Sequence, residues 1–383
     1  MDTLGWGAIL LALFRQFLPV WLALALLFAV SIRLRRRLGL YGRLFDSTVG
    51  MTGLALVMFW VFTAVFADLI VLHDPLAQVA GMKNKPPGTA LPAGADWYLL
   101  GGDNLGRDVF SRVVMGARRV LSIAPAATTF AFLAGITLGL PAGYAGGRLD
   151  TVLSFGANLV LAFPVILLFY LLVTPEIRQT GIPTVLASVM FLFPVIFFAI
   201  LWQSRMRTDP ARRNLFVGAT LVFGLWAWSG LALNADPLGV WRMDPNLLNV
   251  FVSVVFVNAP TVFRIVRGLT MDIKSRDYVA AAQTRGEGPW YIMLWEILPN
   301  ARGPLIVDFC LRIGYTTILL GTLGFFGLGV SPESPDWGST INDGRKLLTI
   351  APWPALVPAL ALMSLVLGLN LLADGLREES LRD

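Results

Sequence analysis

The sequence predicts an all-α polytopic membrane protein with about nine transmembrane helices. Three observations carry that class. Mean hydropathy is +0.70 and only 14% of the 383 residues are charged, whereas a water-covered globule carries about 25%. Apolar runs close to the ~20 residues that a helix needs to cross a bilayer recur along the whole chain. Those runs are continuously apolar, and the strands of a transmembrane barrel would instead alternate apolar with polar residues.

Taken in order, the runs place spans at 8–31, 49–71, 119–143, 152–173, 184–202, 214–233, 248–268, 304–328 and 353–374. The first is interrupted by Arg15 and Gln16. Either Arg15 reaches the outer interface, or residues 1–14 lie along the membrane surface. The arginine block IRLRRRLGLYGR that follows puts residues 32–48 in the cytoplasm. Alternation then places 144–151, 203–213, 269–303 and the C-terminus inside, with the N-terminus periplasmic. The charges agree: of 30 Lys and Arg, 18 fall inside and 10 outside, with Arg15 and Arg312 within spans. Short loops are the most informative. RMRTDPARR (205–213) carries four arginines, and the outside loops 174–183 and 234–247 carry one each. Because the positive charges follow the first apolar run, a cleaved signal peptide is not expected.

Composition also excludes functions. The net charge of +6 is accounted for by topology, so no nucleic-acid partner is expected. Cys310 is the sole cysteine and His73 the sole histidine. Disulfide frameworks, Cys- or His-based metal sites and a catalytic triad are therefore not expected. There is no P-loop pattern. No catalytic residue and no metal ligand is assigned, and the chain reads as a non-enzyme.

The longest cytoplasmic loop, 269–303, contains DYVAAAQTRGEGPWYIMLWEILPNARG at 277–303. Ala280, Ala281 and Ala282 favour a short helix, Gly286 fits its end, and Pro289 fits the start of a second. Pro299 is expected to end or kink that second helix. Small side chains let another backbone approach, so the alanines suit a docking surface, while the apolar residues of 290–298 suit an anchor on the membrane domain. A surface-lying amphipathic loop without a partner fits these residues equally well.

YVAAAQTRG…EILPN resembles the EAA loop of binding-protein-dependent ABC importer permeases, a pattern of Glu-Ala-Ala, a later Gly and an Ile-x-Leu-Pro ending. Ala281, Ala282, Gly286, Leu298 and Pro299 fit it, with Tyr278 just before the alanines. Ala280 stands at the usual glutamate position, and Glu296 stands where close relatives often have histidine. A second likeness lies in GGDNLGRDVFSRVVMGARR (101–119), AGYAGGRLD and LAFP, which are similar to the C-type subunit of oligopeptide, dipeptide and nickel importers. Gly102, Asp103, Gly106, Arg107, Asp108, Ser111 and Arg112 match its first motif, and Gly143, Tyr144, Gly146, Gly147 and Asp150 its second. Phe325, Gly327, Leu328 and Gly329, and then PDWG, match further on. The likeness covers most of 45–380.

That resemblance implies a type I importer permease core of six transmembrane helices at 49–383, to which this chain adds an N-terminal span with a basic linker (1–48) and a helix pair at 184–233. It implies a prokaryotic inner-membrane complex with a second permease subunit, two ATPase subunits that bind ATP and Mg, and a periplasmic or lipoprotein substrate-binding protein. This chain itself would bind no cofactor. The EAA-like loop would be the helix that couples to the ATPases, and peptides would be the cargo. Nickel or another small solute is the alternative, and an ion-coupled secondary transporter a more distant one.

Read from the residues alone, Asp103 caps a helix beginning near Leu105, Asp108 lies in its first turn, and Arg107 and Arg112 meet lipid headgroups. A sharper reading makes 101–118 an outer collar within the periplasmic segment 72–118, meeting a binding protein or closing the pathway. Phe163-Pro164 is expected to kink the fourth span. Asp308 and Arg312, four apart, would pair on one helix face within the membrane. Asn158 and Asn258 are candidates for bonding across helices or lining a pathway.

Overall fold

A computed structural model describes residues 3–92, 96–329 and 334–380. The helices are α1 (Trp6–Gln16), α2 (Leu18–Leu34), α3 (Thr48–Val65), α4 (Val109–Ala145), α5 (Gly147–Leu161), α6 (Val165–Val173) and α7 (Ile182–Met190). They continue with α8 (Leu192–Arg205), α9 (Pro210–Leu233), α10 (Pro245–Ile273), α11 (Asp277–Thr284), α12 (Arg302–Phe325), α13 (Trp337–Arg345) and α14 (Trp353–Ser380). Among the described residues eight helical stretches are long and apolar enough to cross a membrane, and nine if the bent pair α5–α6 forms one span.

The first span differs from the sequence expectation. The first run breaks at Phe17 into α1 and α2, and Pro19 opens α2. At 11 residues α1 is about 16 Å long and too short to span. Gln16, read as an interruption, donates its side-chain amide to the Ile70 carbonyl at 2.7 Å. The fourth run is broken where Phe163-Pro164 was expected to kink it, by 82°, because Pro164 has no N–H to continue the ladder. The third span extends on both sides into the 37-residue α4.

The chain divides into two compact units. The first comprises Met1–Pro125 and Cys310–Asp383. Here α3 and α14 lie close together: a Cβ on Gly368 would come within 2.7 Å of Leu56 Cβ. Trp60 donates to Ser364 Oγ at 2.9 Å, and its ring meets that of Trp337. Near the N-terminus Leu4 N–H donates to Gly88 O, and a two-residue ladder pairs Thr89 with Tyr98 and Ala90 with Trp97.

The second unit, Ala126–Phe309, is organised around α10, the most buried of the long helices. Asp244 caps it by accepting from the N–H groups of Asn246 and Leu247, and its core side is rich in Val and Phe. Gly135, Gly139 and Gly143 form one stripe of α4 facing it. Cβ atoms there would stand 2.6 Å from Val262, 2.8 Å from Val266 and 2.7 Å from Thr270. Without side chains on the stripe, the two backbones meet directly.

Candidate functional site

The loop after α10 begins as the sequence indicates. Asp277 sits in the first turn of α11, where negative charge complements the helix dipole. The helix stops before Gly286, which takes φ +76°, a left-handed conformation that favours glycine. Tyr278, Ala280, Ala281 and Thr284 are exposed, while Val279 and Ala282 are fully buried. Ala282 therefore belongs to the anchor, and only two of the three alanines present an outer surface.

The second half takes a form that the sequence did not suggest. Pro289–Tyr291 is one α-turn, Ile292–Ile297 is π-helical, and Leu298–Asn300 is a further α-turn that Pro299 helps to open. The element runs one residue past Pro299 and ends at Asn300. The hydrogen-bond ladder widens ahead of the proline, which accommodates a residue that has no N–H to donate. Ile292, Met293, Leu294 and Ile297 sink into a cluster with Val262, Val266, Val279 and Ala282. Leu298 is half-buried and Pro299 exposed.

Polar contacts tie this element down. Lys274 Nζ donates to the carbonyls of Gly143 at 2.8 Å and Tyr144 at 3.3 Å, satisfying groups at the end of α4. Gln283 donates to Tyr144 Oη at 3.1 Å. Arg267 makes a two-pronged ion pair with Asp150, including Nη2 to Oδ2 at 2.6 Å. Arg285 Nη2 donates to Glu296 Oε1 at 2.9 Å across the Gly286 turn. Trp295 Nε1 donates to Ser204 Oγ at 3.1 Å, and the Arg205 guanidinium lies 4.6 Å over the Trp295 ring. Sequence reasoning singled out Glu296, Tyr144 and Asp150 but missed Arg267, Lys274, Gln283, Arg285, Trp295 and Ser204. A basic residue closing an apolar span was the available signal for Arg267 and Lys274. Nothing in the sequence points Trp295 at Ser204.

The first unit holds the other motif. Asp103 is fully buried and accepts from Leu105 N–H at 2.8 Å, Arg107 N–H at 2.9 Å and Arg107 Nε at 2.5 Å. Arg107 also donates to Asp343 Oδ2 at 2.7 Å. Arg112 has no exposed surface; it donates to Thr340 Oγ1 and to the carbonyls of Ser334 and Pro75. These contacts overturn the headgroup reading of Arg107 and Arg112, since both guanidinium groups are satisfied within protein. The helix start is also corrected. It begins at Val109, and Asp108 caps it by accepting from the N–H groups of Phe110 and Ser111 and from Ser111 Oγ. Asp103 instead organises the turn over 104–107. Residues 109–118 are the start of α4.

Gly102 and Gly106 are required by space and backbone. A Cβ on Gly102 would collide with the Met82 carbonyl, and Gly106 has φ +79°. Tyr98 Oη donates to Gly106 O at 3.2 Å. Burial, and then the Asp108 and Asp103 carboxylates, push its hydroxyl pKa up to about 12. His73 Nδ1 lies 3.3 Å from Asp108 Oδ2. From PDWG, Asp336 caps α13 by accepting from Ser339 N–H, and burial raises its carboxyl pKa. Trp337 is buried and donates to Val113 O at 2.9 Å.

The intramembrane polar residues are dispersed. Asn158 is exposed on α5. Asn258 is buried in α10, its amide donating to Val254 O at 3.0 Å. Asp308 and Arg312 are half-buried on α12, with Arg312 5.7 Å from the Tyr315 ring centroid. Among the described residues no group of His, Cys, Asp and Glu is arranged to hold a metal ion.

Eight or nine long apolar helices among the described residues, with a short polar helix seated on a buried cluster, are consistent with the architecture of a transporter permease. Comparison with known proteins makes the class specific. Residues 215–378 match the family described as binding-protein-dependent transport system inner membrane component. The glutathione transport system permease protein of Pectobacterium atrosepticum is 31% identical over 287 residues, covering 75% of this chain and 72% of that one. The dipeptide transport system permease protein of Alkalihalophilus pseudofirmus is 28% identical over 340 residues, 88% of this chain and 87% of the relative. The di/tripeptide transport system permease protein of Pseudomonas aeruginosa is 29% identical, with 85% of each chain covered. The chain belongs to this family: it is a membrane-embedded, non-catalytic permease subunit of an ABC importer, of the peptide and nickel group.

Proposed function

We propose that this subunit forms half of an import pathway for small peptides and that α11 transmits ATPase motion to it. The cargo follows the relatives, whose names specify dipeptides, di/tripeptides and glutathione. The single observation that carries the coupling role is the division of α11 into two faces. Val279 and Ala282 are locked into the membrane domain, and Tyr278, Ala280 and Ala281 are left outside. A helix built this way can receive a partner on one side and move the spans on the other. ATP binding would then favour one permease conformation through that contact.

The partners are a second, different permease subunit, two ATPase subunits carrying ATP and Mg, and a periplasmic or lipoprotein binding protein. The C-terminus and the 269–303 loop face the cytoplasm of a prokaryotic inner membrane, and the N-terminus faces out. The pairing of Leu4 with Gly88 supports a common side for the N-terminus and the 72–108 segment. That segment, closed down by the Asp103–Arg107–Asp343 cluster, is the surface offered to the binding protein. Asn158, exposed on α5, suits the pathway or the subunit interface better than the buried Asn258.

The test is a crosslink from Ala281→Cys, in a Cys310→Ser background, to cysteines placed in the groove of the ATPase subunit. Ala281 is exposed, whereas Ala282 is not. An ATP-dependent crosslink is expected. Its absence from an assembled complex would rule out α11 as the docking element.

A further inference from the structure

The helices α7 to α9, added to the six-span core that the resemblance implies, carry a feature that transport of solute does not account for. They are little buried: 17% of the apolar window over Ile182–Arg205 and 11% of that over Pro210–Leu233. The rest of the chain leaves most of their apolar surface uncovered. Between them runs a groove of about 250 Å3, formed by Phe191, Val195, Phe198 and Trp202 on one side and by Phe223 and Ala227 on the other. Its lining is almost wholly apolar and it is smaller than the ~300 to 1,000 Å3 usual for small-molecule sites.

The groove reaches Trp202, one turn before Arg205, where the Trp202 and Phe216 rings pack 5.0 Å apart. Immediately beyond lies the turn RMRTDPARR, with Arg205, Arg207, Arg212 and Arg213 against a single acid, Asp209. Asp209 is held by Arg212 at 3.3 Å and caps α9 through Arg212 N–H. Arg205 and Arg212 are committed to Trp295 and Asp209, which leaves Arg207, exposed, and Arg213, half-buried with its Nε donating to Asn214 Oδ1 at 3.3 Å. Topology accounts for arginines at this position, but not for an apolar groove that starts one turn beneath them. Together they match the two ends of one molecule: an anionic headgroup on the arginines and a chain along the groove.

We propose that α8, α9 and the turn between them form a binding site for an anionic phospholipid. Arg207 and Arg213 hold the phosphate, and the groove beside Trp202 and Ala227 holds one acyl chain.

The test measures lipid retained by the purified full-length complex, by native mass spectrometry, after exchange into detergent containing phosphatidylglycerol or phosphatidylcholine. The wild type is expected to retain phosphatidylglycerol in preference to phosphatidylcholine. Arg207→Gln with Arg213→Gln is expected to weaken retention roughly 25-fold, about fivefold per arginine. Ala227→Trp, which fills the groove and leaves the charges, is expected to weaken it as well. Ala227→Leu, a smaller filling of the same groove, carries the groove arm if Ala227→Trp misfolds. Equal retention of both lipids, or wild-type retention by the double arginine variant, would overturn the site. Loss on removing charge with none on filling the groove would also overturn it, since that is diffuse attraction to a basic turn.

Discussion

Asp103→Ala is expected to be among the most damaging single changes in the first unit. The carboxylate accepts from two backbone N–H groups and from Arg107 Nε, and it lies 3.9 Å from the buried Arg112 Nε. Removing one member of a buried ion pair costs about 3–5 kcal/mol, because the remaining charge stays desolvated. Arg107 keeps Asp343 as a partner, which keeps the loss below the top of that range, at about 4 kcal/mol. Asp103→Asn preserves an acceptor for the backbone and should cost roughly half of that. Asp343→Ala removes a carboxylate that is 32% exposed, and solvent screening reduces its worth to about 1 kcal/mol. Thermal unfolding of the purified complex, followed by tryptophan fluorescence, reads the series. At roughly 2 °C per kcal/mol for a large chain, the expected drops are about 8, 4 and 2 °C. A loss of about 2 °C or less for Asp103→Ala, or an equal loss for Asp343→Ala, would refute the buried-pair account.

Three further outcomes follow from the same geometry. Gly139→Leu drives a side chain into Val266 and should abolish transport, whereas Gly156→Leu on α5, where a Cβ would meet nothing, should leave it near wild type in an uptake assay. Between about pH 10 and 12 an unfolded chain has lost the Tyr98 proton that the folded chain keeps. Stability should therefore fall as pH rises through that window, and Tyr98→Phe should flatten the decline in denaturation curves. Asp336→Asn keeps the cap on α13 and removes a carboxylate whose ionisation burial opposes, so thermal stability at neutral pH should hold or rise; Asp336→Ala should lower it by about 1 kcal/mol.

Hydropathy made the spans legible because the bilayer fixes both their length and their polarity. It failed at Phe17, where the first run breaks into α1 and α2 just ahead of Pro19, since an apolar run does not by itself reveal a break. The motif residues were legible as types, but their surroundings were not. Arg107 and Arg112 read as surface cations because their partners Asp343 and Thr340 are more than 200 residues away. Glu296 was visible as a departure from its relatives, and its pairing with Arg285 requires the turn that Gly286 makes. The π-helical turn had a local cause in Pro299, yet the sequence also allowed a kink or an end there.

The glycine stripe of α4 has a mechanical consequence. Side chains between two helices act as a compliant layer, shifting rotamers as the helices slide. At Gly135, Gly139 and Gly143 that layer is missing, and Val262, Val266 and Thr270 rest directly on backbone. Two helices joined in this way bend as a laminated beam rather than shear past one another. Lys274 and Gln283 fasten the end of that beam to α11, so a load applied at α11 would be borne by a two-ply member from its first ångström of travel.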